Sequence, residues 1–259
     1  MSSVSVVMSV YNGRKFLREQ VESVLSELLP QDELIVVDDA STDGSLAYLR
    51  TIDSPAIRIF ENTSNQGVIG SFERGLRLAI HEFIFLCDQD DIWMSGKRAA
   101  FVSAFEHDPM VSVVISDAEV IDAHGDVIAP SFMATRLGFN GSVFGTVWRN
   151  RYLGCAMALR RPLLAAALPV PRQVPMHDMW FGAMGRMTGT VVYLPIAFLQ
   201  YRRHSGNVTP SRRQSLPRMI RWRIALLVSL CTRALLLKLC VHSQRTGFAA
   251  KSYDREEPR

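Results

Sequence analysis

Short apolar runs alternate with segments of helical period along the first third of the chain. Ser3 to Val10 is rich in valine and predicts a buried strand, which Tyr11-Asn12-Gly13 breaks. From Lys15 to Leu28 the apolar residues Phe16, Leu17, Val21, Val24, Leu25 and Leu28 recur at the spacing of one helix face. Glu33–Val37 predicts a second strand, ending in Asp38-Asp39. The turn Ser41-Thr42-Asp43-Gly44 and a helix from Ser45 to Thr51 follow. Ile57–Glu61 is a third strand. Asn65-Gln66-Gly67 turns the chain into a helix from about Ile69 to His81, and Phe83–Cys87 is a fourth strand that runs into Asp88. Strands alternating with helices predict crossover units and a mostly parallel sheet. Ligands of such sheets bind beyond the carboxyl ends of the strands, where this chain places acids and turns.

Beyond Trp93 the pattern loosens. A helix is expected from Lys97 to His107, a strand from Val111 to Ser116, and a strand–turn–strand unit around Ile121 to Gly125. Residues 129–150 show no firm period and read as loop and short helix. Tyr152–Leu159 reads as an edge strand or a helix start. Helices follow at Arg161–Leu168 and Asp178–Met187, a strand at Gly189–Leu194, and a polar loop at Tyr201–Pro210. One α/β domain over residues 1–210 with a helical tail over 211–259 is the simplest organisation.

Composition supports a folded core: 48% of the 259 residues are hydrophobic, 21% are charged, and mean hydropathy is +0.09. The net charge of +4 conceals an uneven distribution. Residues 1–200 hold 16 Lys/Arg against 22 Asp/Glu, net −6, whereas residues 201–259 hold 13 against 3, net +10. An acidic body with a basic tail argues against a nucleic-acid binder, since no zinc, helix-turn-helix or aromatic-platform pattern accompanies the tail. Cys87, Cys155, Cys231 and Cys240 form no CxxC and sit in apolar or mixed runs, so buried free thiols in a reducing compartment are expected. The N-terminus has no signal-peptide pattern, and Arg233 and Lys238 interrupt the longest apolar run, Ile224–Leu239.

The candidate chemistry lies in carboxylates at strand ends. Asp88-Gln89-Asp90-Asp91 directly follows an apolar strand, and Asp38-Asp39 ends another. Oxygen donors so grouped suit Mg²⁺ or Mn²⁺ bridging to phosphate, and like charges at close range need a cation or hydrogen bonds to be tolerated. The chain has no P-loop and no GxGxxG after its first strand. Asn65-Gln66-Gly67 is either an ordinary helix start or a source of backbone N–H groups for a ligand. Asp178, between His177 and Met179-Trp180, is either a helix cap or a general base shielded by the indole. Arg202, Arg203 and His204 gather donors in one loop, which could face phosphate or simply be solvated.

In order along residues 3–210, these segments resemble the inverting family 2 glycosyltransferases of the GT-A fold. The resemblance rests on Val4–Gly13, Leu34–Gly44 with its acidic pair, Asn65-Gln66-Gly67, Phe85–Trp93, His177-Asp178-Met179-Trp180, and Tyr201-Arg202-Arg203-His204 with Asn207 and Thr209. The DQDDIW form is similar to that of rhamnosyltransferases of bacterial surface polysaccharide synthesis. The resemblance implies a metal-dependent inverting transfer from a nucleoside-diphosphate sugar, dTDP-rhamnose foremost and a UDP-hexose next, to a saccharide or lipid-linked saccharide. It implies Tyr11, Asp38 and Asp39 at the nucleoside, and Asp88 at the ribose or diphosphate. Asp90, with Asp88 and His204, would hold Mg²⁺ or Mn²⁺, while Arg202, Arg203 and the basic position Lys97 would lie toward the diphosphate. Asp178 would be the base. A nucleotidyltransferase would be expected to carry a Gly- and Arg/Lys-rich signature after its first strand, which is missing here, and a non-catalytic sugar-nucleotide-binding module need not retain all four of Asp39, Asp88, Asp90 and Asp178. A cytoplasmic location is expected. The basic tail could seat the protein peripherally on the inner face of the cell membrane, cover the core, or make an oligomer contact.

Overall fold

A computed structural model describes residues 2–139, 141–148, 150–207 and 215–251. Strands β1 (Val4–Val10), β2 (Glu33–Asp38), β3 (Ile57–Glu61) and β4 (Phe83–Cys87) form a parallel set in the order β3-β2-β1-β4. β2 and β4 are buried at every position and β1 at all but one, which is why they read as continuous apolar runs rather than alternating ones. Their crossovers are α1 (Arg14–Glu27), α2 (Ser45–Leu49) and α3 (Gly67–Leu78). α1 buries Phe16, Leu17, Val21 and Val24, the stripe its period predicts. α3 lies close on the sheet because Gly75 has no side chain; a Cβ there would come within 2.3 Å of Val7 Cγ1.

The second half departs from the expected simplicity. β5 (Ile92–Trp93) and α4 (Lys97–His107) lead to β6 (Val111–Ile121), which runs well past the expected Ser116. β7 (Val127–Ala129) hairpins onto β6; α5 (Phe132–Thr135), α6 (Val143–Trp148) and a 3₁₀ turn at Gly154–Ala156 follow. The ambiguous Tyr152–Leu159 resolves into that turn plus β8 (Met157–Arg160). β8 lies antiparallel between β4 and β6, so β6 regains the direction of β4. After α7 (Pro162–Ala167) and α8 (His177–Thr188), β9 (Thr190–Arg202) runs parallel to β6 and extends past the expected Leu194. The carboxyl ends of β1, β2, β4, β6 and β9 therefore share one edge, where Asp38, Asp88 and Arg202 lie. The sheet is mixed, with its parallel members dominant and helices packed around it.

Register shifts in the β6–β9 pair bend both strands. The end of β9 then pairs with β5, Ile92 opposite Gln200 and Trp93 opposite Leu199. This pins the segment after Asp91 to the segment before Arg203. A final helix, α9 (Leu216–Lys251), packs Leu226 and Leu230 onto the body. The expected boundary after residue 210 falls within 208–214, outside the described residues, as do Thr209, Arg212 and Arg213. Cys87 and Cys155 are buried free thiols, but Cys231 is exposed on α9, against expectation.

Candidate active site

The end of β1 and the turn after β4 are joined by one side chain. Gln89 accepts from Tyr11 N–H at 2.8 Å and donates from its amide nitrogen to Tyr11 C=O at 3.1 Å. Gly13 makes this approach feasible, since a Cβ there would sit 2.3 Å from Gln89 Oε1. Asn12, in the left-handed region at φ 49°, accepts from Thr42 N–H. Asp43 accepts from Arg14 N–H and from Ser45, tying the starts of α1 and α2 together. The Tyr11 ring is left 48% exposed at the cleft edge.

Asp38 and Asp39 are both buried but differ in use. Asp39 accepts from Asn62 Nδ2 at 2.6 Å and from the backbone N–H groups of Gln66 and Gly67 at 2.7 and 2.8 Å. It thus satisfies orphan donors at the N-terminus of α3. Asp38 Oδ2 accepts from Ser41 N–H, while its Oδ1 is buried without a protein partner.

Asp88, Asp90 and Asp91 crowd together beyond β4. Burial pushes Asp88 up to about 7, with the Asp90 and Asp178 charges adding to the effect. Burial also raises Asp90, partly offset by His204, and holds Asp91 well above the usual carboxylate range. Asp88, Asp91 and Cys155 bring donor atoms within 4.8 Å of one another. Burial raises the Cys155 thiol well above its ordinary value, and sulfur suits Mg²⁺ or Mn²⁺ less well than the carboxylate oxygens beside it. Beneath them Lys97 is wholly enclosed. Its ammonium donates to Cys155 C=O at 2.7 Å, lies 4.2 Å from the centre of the Trp93 ring, and is pushed down to about 8 by burial.

The chain after β9 closes over this cluster. His204 Nε2 pairs with Asp90 Oδ2 at 2.7 Å, and the imidazole packs on Phe16 with ring centres 4.7 Å apart. Arg202 is buried behind it: its backbone N–H reaches Asp91, its Nε donates to Asp90 C=O, and its guanidinium bonds Glu19 and lies over Phe16. Arg203 donates to the Tyr201 hydroxyl at 3.3 Å.

On the other side of the cluster, α8 presents Asp178 in its first turn. Asp178 accepts from Asn150 Nδ2 at 3.0 Å and from Met179 N–H at 2.6 Å, and burial raises it to about 6. It lies at a cleft of about 820 Å³ lined by Phe132, Val147, Trp148, Tyr152, Tyr201, Met219 and Trp222 among others. Trp180 faces away, wholly buried, with its indole N–H bonded to Ala167 C=O. His177 is buried against Phe72 with both ring nitrogens unpartnered, and burial pushes it down to about 4.

A family model described as Glycosyl transferase family 2 matches residues 5–164, a stretch that includes the strand-end carboxylates. The chain belongs to glycosyl transferase family 2. An uncharacterized glycosyltransferase of Nostoc sp., alr2836, is 32% identical over 129 residues, 48% of this chain and 39% of its own. The Escherichia coli UDP-Glc:alpha-D-GlcNAc-diphosphoundecaprenol beta-1,3-glucosyltransferase WfgD is 26% identical over 165 residues, 62% of this chain and 61% of its own. The chain thus spans less than two thirds of the length of these curated relatives. Among solved structures, residues 1–349 of S. aureus TarS in complex with UDP-GlcNAc superpose with a TM-score of 0.63. That match has 18% identity and covers 83% of this chain and 62% of that 1–349 segment, a likeness of fold.

In this family 2 chain the sequence-predicted residues fall into two groups. Tyr11, Asp38, Asp88, Asp90, His204 and Asp178 converge at the strand-end edge and cleft. Lys97 and Arg202, expected toward the diphosphate, do not open into the cleft: Lys97 is fully enclosed, and Arg202 braces the turn behind Asp90 and Asp91. Asp39 is spent on the α3 N-terminus, and Trp180 shields α8 rather than Asp178. Two residues in the site carried no sequence signal. Asn150 lies in the aperiodic stretch, and Gln89 occupies the middle of a motif read only for its acids.

Proposed function

We propose that this family 2 enzyme transfers a sugar from a nucleoside-diphosphate sugar to a hydroxyl of a saccharide or lipid-linked saccharide, with inversion, in bacterial surface polysaccharide synthesis. The observation that carries the reading is Asp178: a buried carboxylate raised to about 6, fixed by Asn150, set at an open cleft and close enough to Asp88 to raise it. A base tuned in this way accepts a proton readily near neutral pH. In the reaction, Asp178 takes the proton from the attacking acceptor hydroxyl. Asn150 keeps the carboxylate oriented for that transfer.

Nucleoside recognition falls to the rim of Tyr11 and Asp38, whose free Oδ1 awaits a donor. Asp39 acts there through the α3 N-terminus it holds. The remaining cluster fits Mg²⁺ or Mn²⁺, because its crowded oxygen donors are all raised by burial and Asp88 and Asp91 further by neighbouring carboxylates. Asp90 and Asp88, with His204, would hold the ion. When bound, it would stabilise the charge that develops on the departing diphosphate. Arg203 would help neutralise that group, and Lys97 would offset the acids from below.

The DQDDIW segment supports dTDP-rhamnose as donor. The E. coli relative, whose name specifies UDP-glucose, favours a UDP-hexose as the second reading. The basic tail supports a cytoplasmic protein held peripherally at the inner membrane face; no helix among the described residues is long and apolar enough to cross a membrane. A panel of nucleotide sugars, assayed for metal-dependent hydrolysis and transfer, tests the reading. Turnover of one donor that Asp178→Asn abolishes is expected. Failure of every donor with folded protein and added metal removes the transferase assignment.

A further inference from the structure

α9 presents two different faces. Its inner face carries Met219, Trp222 and Arg223, which line the cleft at Asp178, followed by the buried Leu226 and Leu230. Arg223 fixes this wall by donating to Trp148 C=O at 2.8 Å, its guanidinium over the Trp148 ring. Further along, Arg233 donates to the carbonyls of Ala166, Leu168 and Pro169. The outer face is also apolar. Ile220, Ile224, Val228, Leu235 and Leu239 recur at four- and seven-residue spacings and are each more than half exposed. Arg221 and Lys238 stand exposed on the same side. A helix apolar on both faces calls for a second partner, and only one face has found it.

Charge identifies the occupant. Residues 201–253 contain no Asp or Glu. A symmetric pair of chains joined through this stripe would bring only positive side chains together. A bilayer bearing anionic lipid offers both what the apolar stripe lacks and a countercharge for Arg221 and Lys238. Trp148, 73% exposed at the cleft mouth, has the amphipathic ring that favours the headgroup level.

We propose that the outer face of α9 docks flat on an anionic bilayer while its inner face walls the acceptor cleft, so that an amphiphilic acceptor reaches Asp178 directly from the membrane. This rests on the transferase reading for Asp178 but not on any particular donor. One helix would then serve as anchor and as substrate wall. Membrane binding would govern acceptor use and leave donor chemistry untouched.

The experiment uses the full chain and vesicles of phosphatidylcholine with and without phosphatidylglycerol. Wild type is expected to sediment with the anionic vesicles only. Arg221→Gln and Lys238→Gln should each weaken binding about fivefold, and Ile224→Asp with Val228→Asp should abolish it. These outer-face variants should retain wild-type donor hydrolysis and circular dichroism. Their transfer to a prenyl-diphosphate sugar embedded in the vesicles should fall at least about tenfold, in step with lost binding. Binding that ignores phosphatidylglycerol or the variants overturns the proposal. So does a vesicle-free wild-type dimer that Ile224→Asp dissolves, which would assign the face to a second copy. Normal vesicle transfer by the non-binding variants also overturns it. If wild type binds vesicles yet turns over no donor, the docking stands and the transferase reading fails.

Discussion

Asp178→Asn separates what Asp178 does for chemistry from what it costs the fold. Burial raises its pKa from 3.8 to about 6. At ~1.4 kcal/mol per pKa unit, the folded protein disfavours the charged form by about 3 kcal/mol. Because the folded value lies above the unfolded one, the fold is free of this penalty below about pH 4 and carries it fully once pH has risen past the folded value. Asparagine removes the charge but keeps one acceptor oxygen. It therefore loses one of the hydrogen bonds from Asn150 and Met179, worth about 1 kcal/mol. The variant should be about 2 kcal/mol more stable than wild type at pH 8, raising Tm by roughly 4–8 °C for a chain of this size, and slightly less stable at pH 4. Thermal melts of both proteins across that range, beside a transfer assay, read the two effects together. Transfer should vanish while donor binding persists. A stability difference that does not change with pH, or a variant less stable at pH 8, would refute the assignment of Asp178 as a desolvated carboxylate.

The remaining expectations follow from the same contacts. Transfer by wild type should decline as pH falls through about 6, because protonated Asp178 cannot accept the acceptor proton; a profile flat down to pH 4.5 would contradict this. Chelation should abolish transfer, and Mg²⁺ or Mn²⁺ should restore it; Asp90→Asn should remove the Tm gain that added metal gives wild type. Arg202→Met should destabilise the protein by about 1–3 kcal/mol in denaturant titration, since the Asp90 carbonyl loses its donor while the largely exposed Glu19 returns to water. Gly75→Ala should cost about 1–3 kcal/mol by forcing α3 off Val7, with little effect on donor KM if the strand-end site is otherwise intact.

The first half of the fold was legible because β1, β2 and β4 are buried on both faces and each crossover helix on one, so period and turn residues agree. β6 and β9 were read short for a physical reason. Their outer halves contain register shifts, and β9 carries Pro195 and the exposed Ile196 directly after Leu194, so the apolar signal stops there although the strand continues. The strand-end acids were visible as residue types, but their present partners were not. Sequence gives no distance between Asp39 and the start of α3, or between Arg202 and Glu19, which lie far apart along the chain. Lys97 shows the limit most clearly: a lysine at a helix start looks solvated, and only the packing of Trp93 and Cys155 around it makes it a buried countercharge.

Gln89 behaves as a spare peptide group. By offering one acceptor and one donor to Tyr11, its amide continues the ladder of β1 for one more rung where no strand follows. Glutamate has the same length but no donor, and leucine has neither group, so the central position of Asp88-Gln89-Asp90 is written by backbone stereochemistry while its neighbours are written by charge. The spacing of the two aspartates is therefore held from outside the motif, by a tyrosine whose side chain is free to do something else.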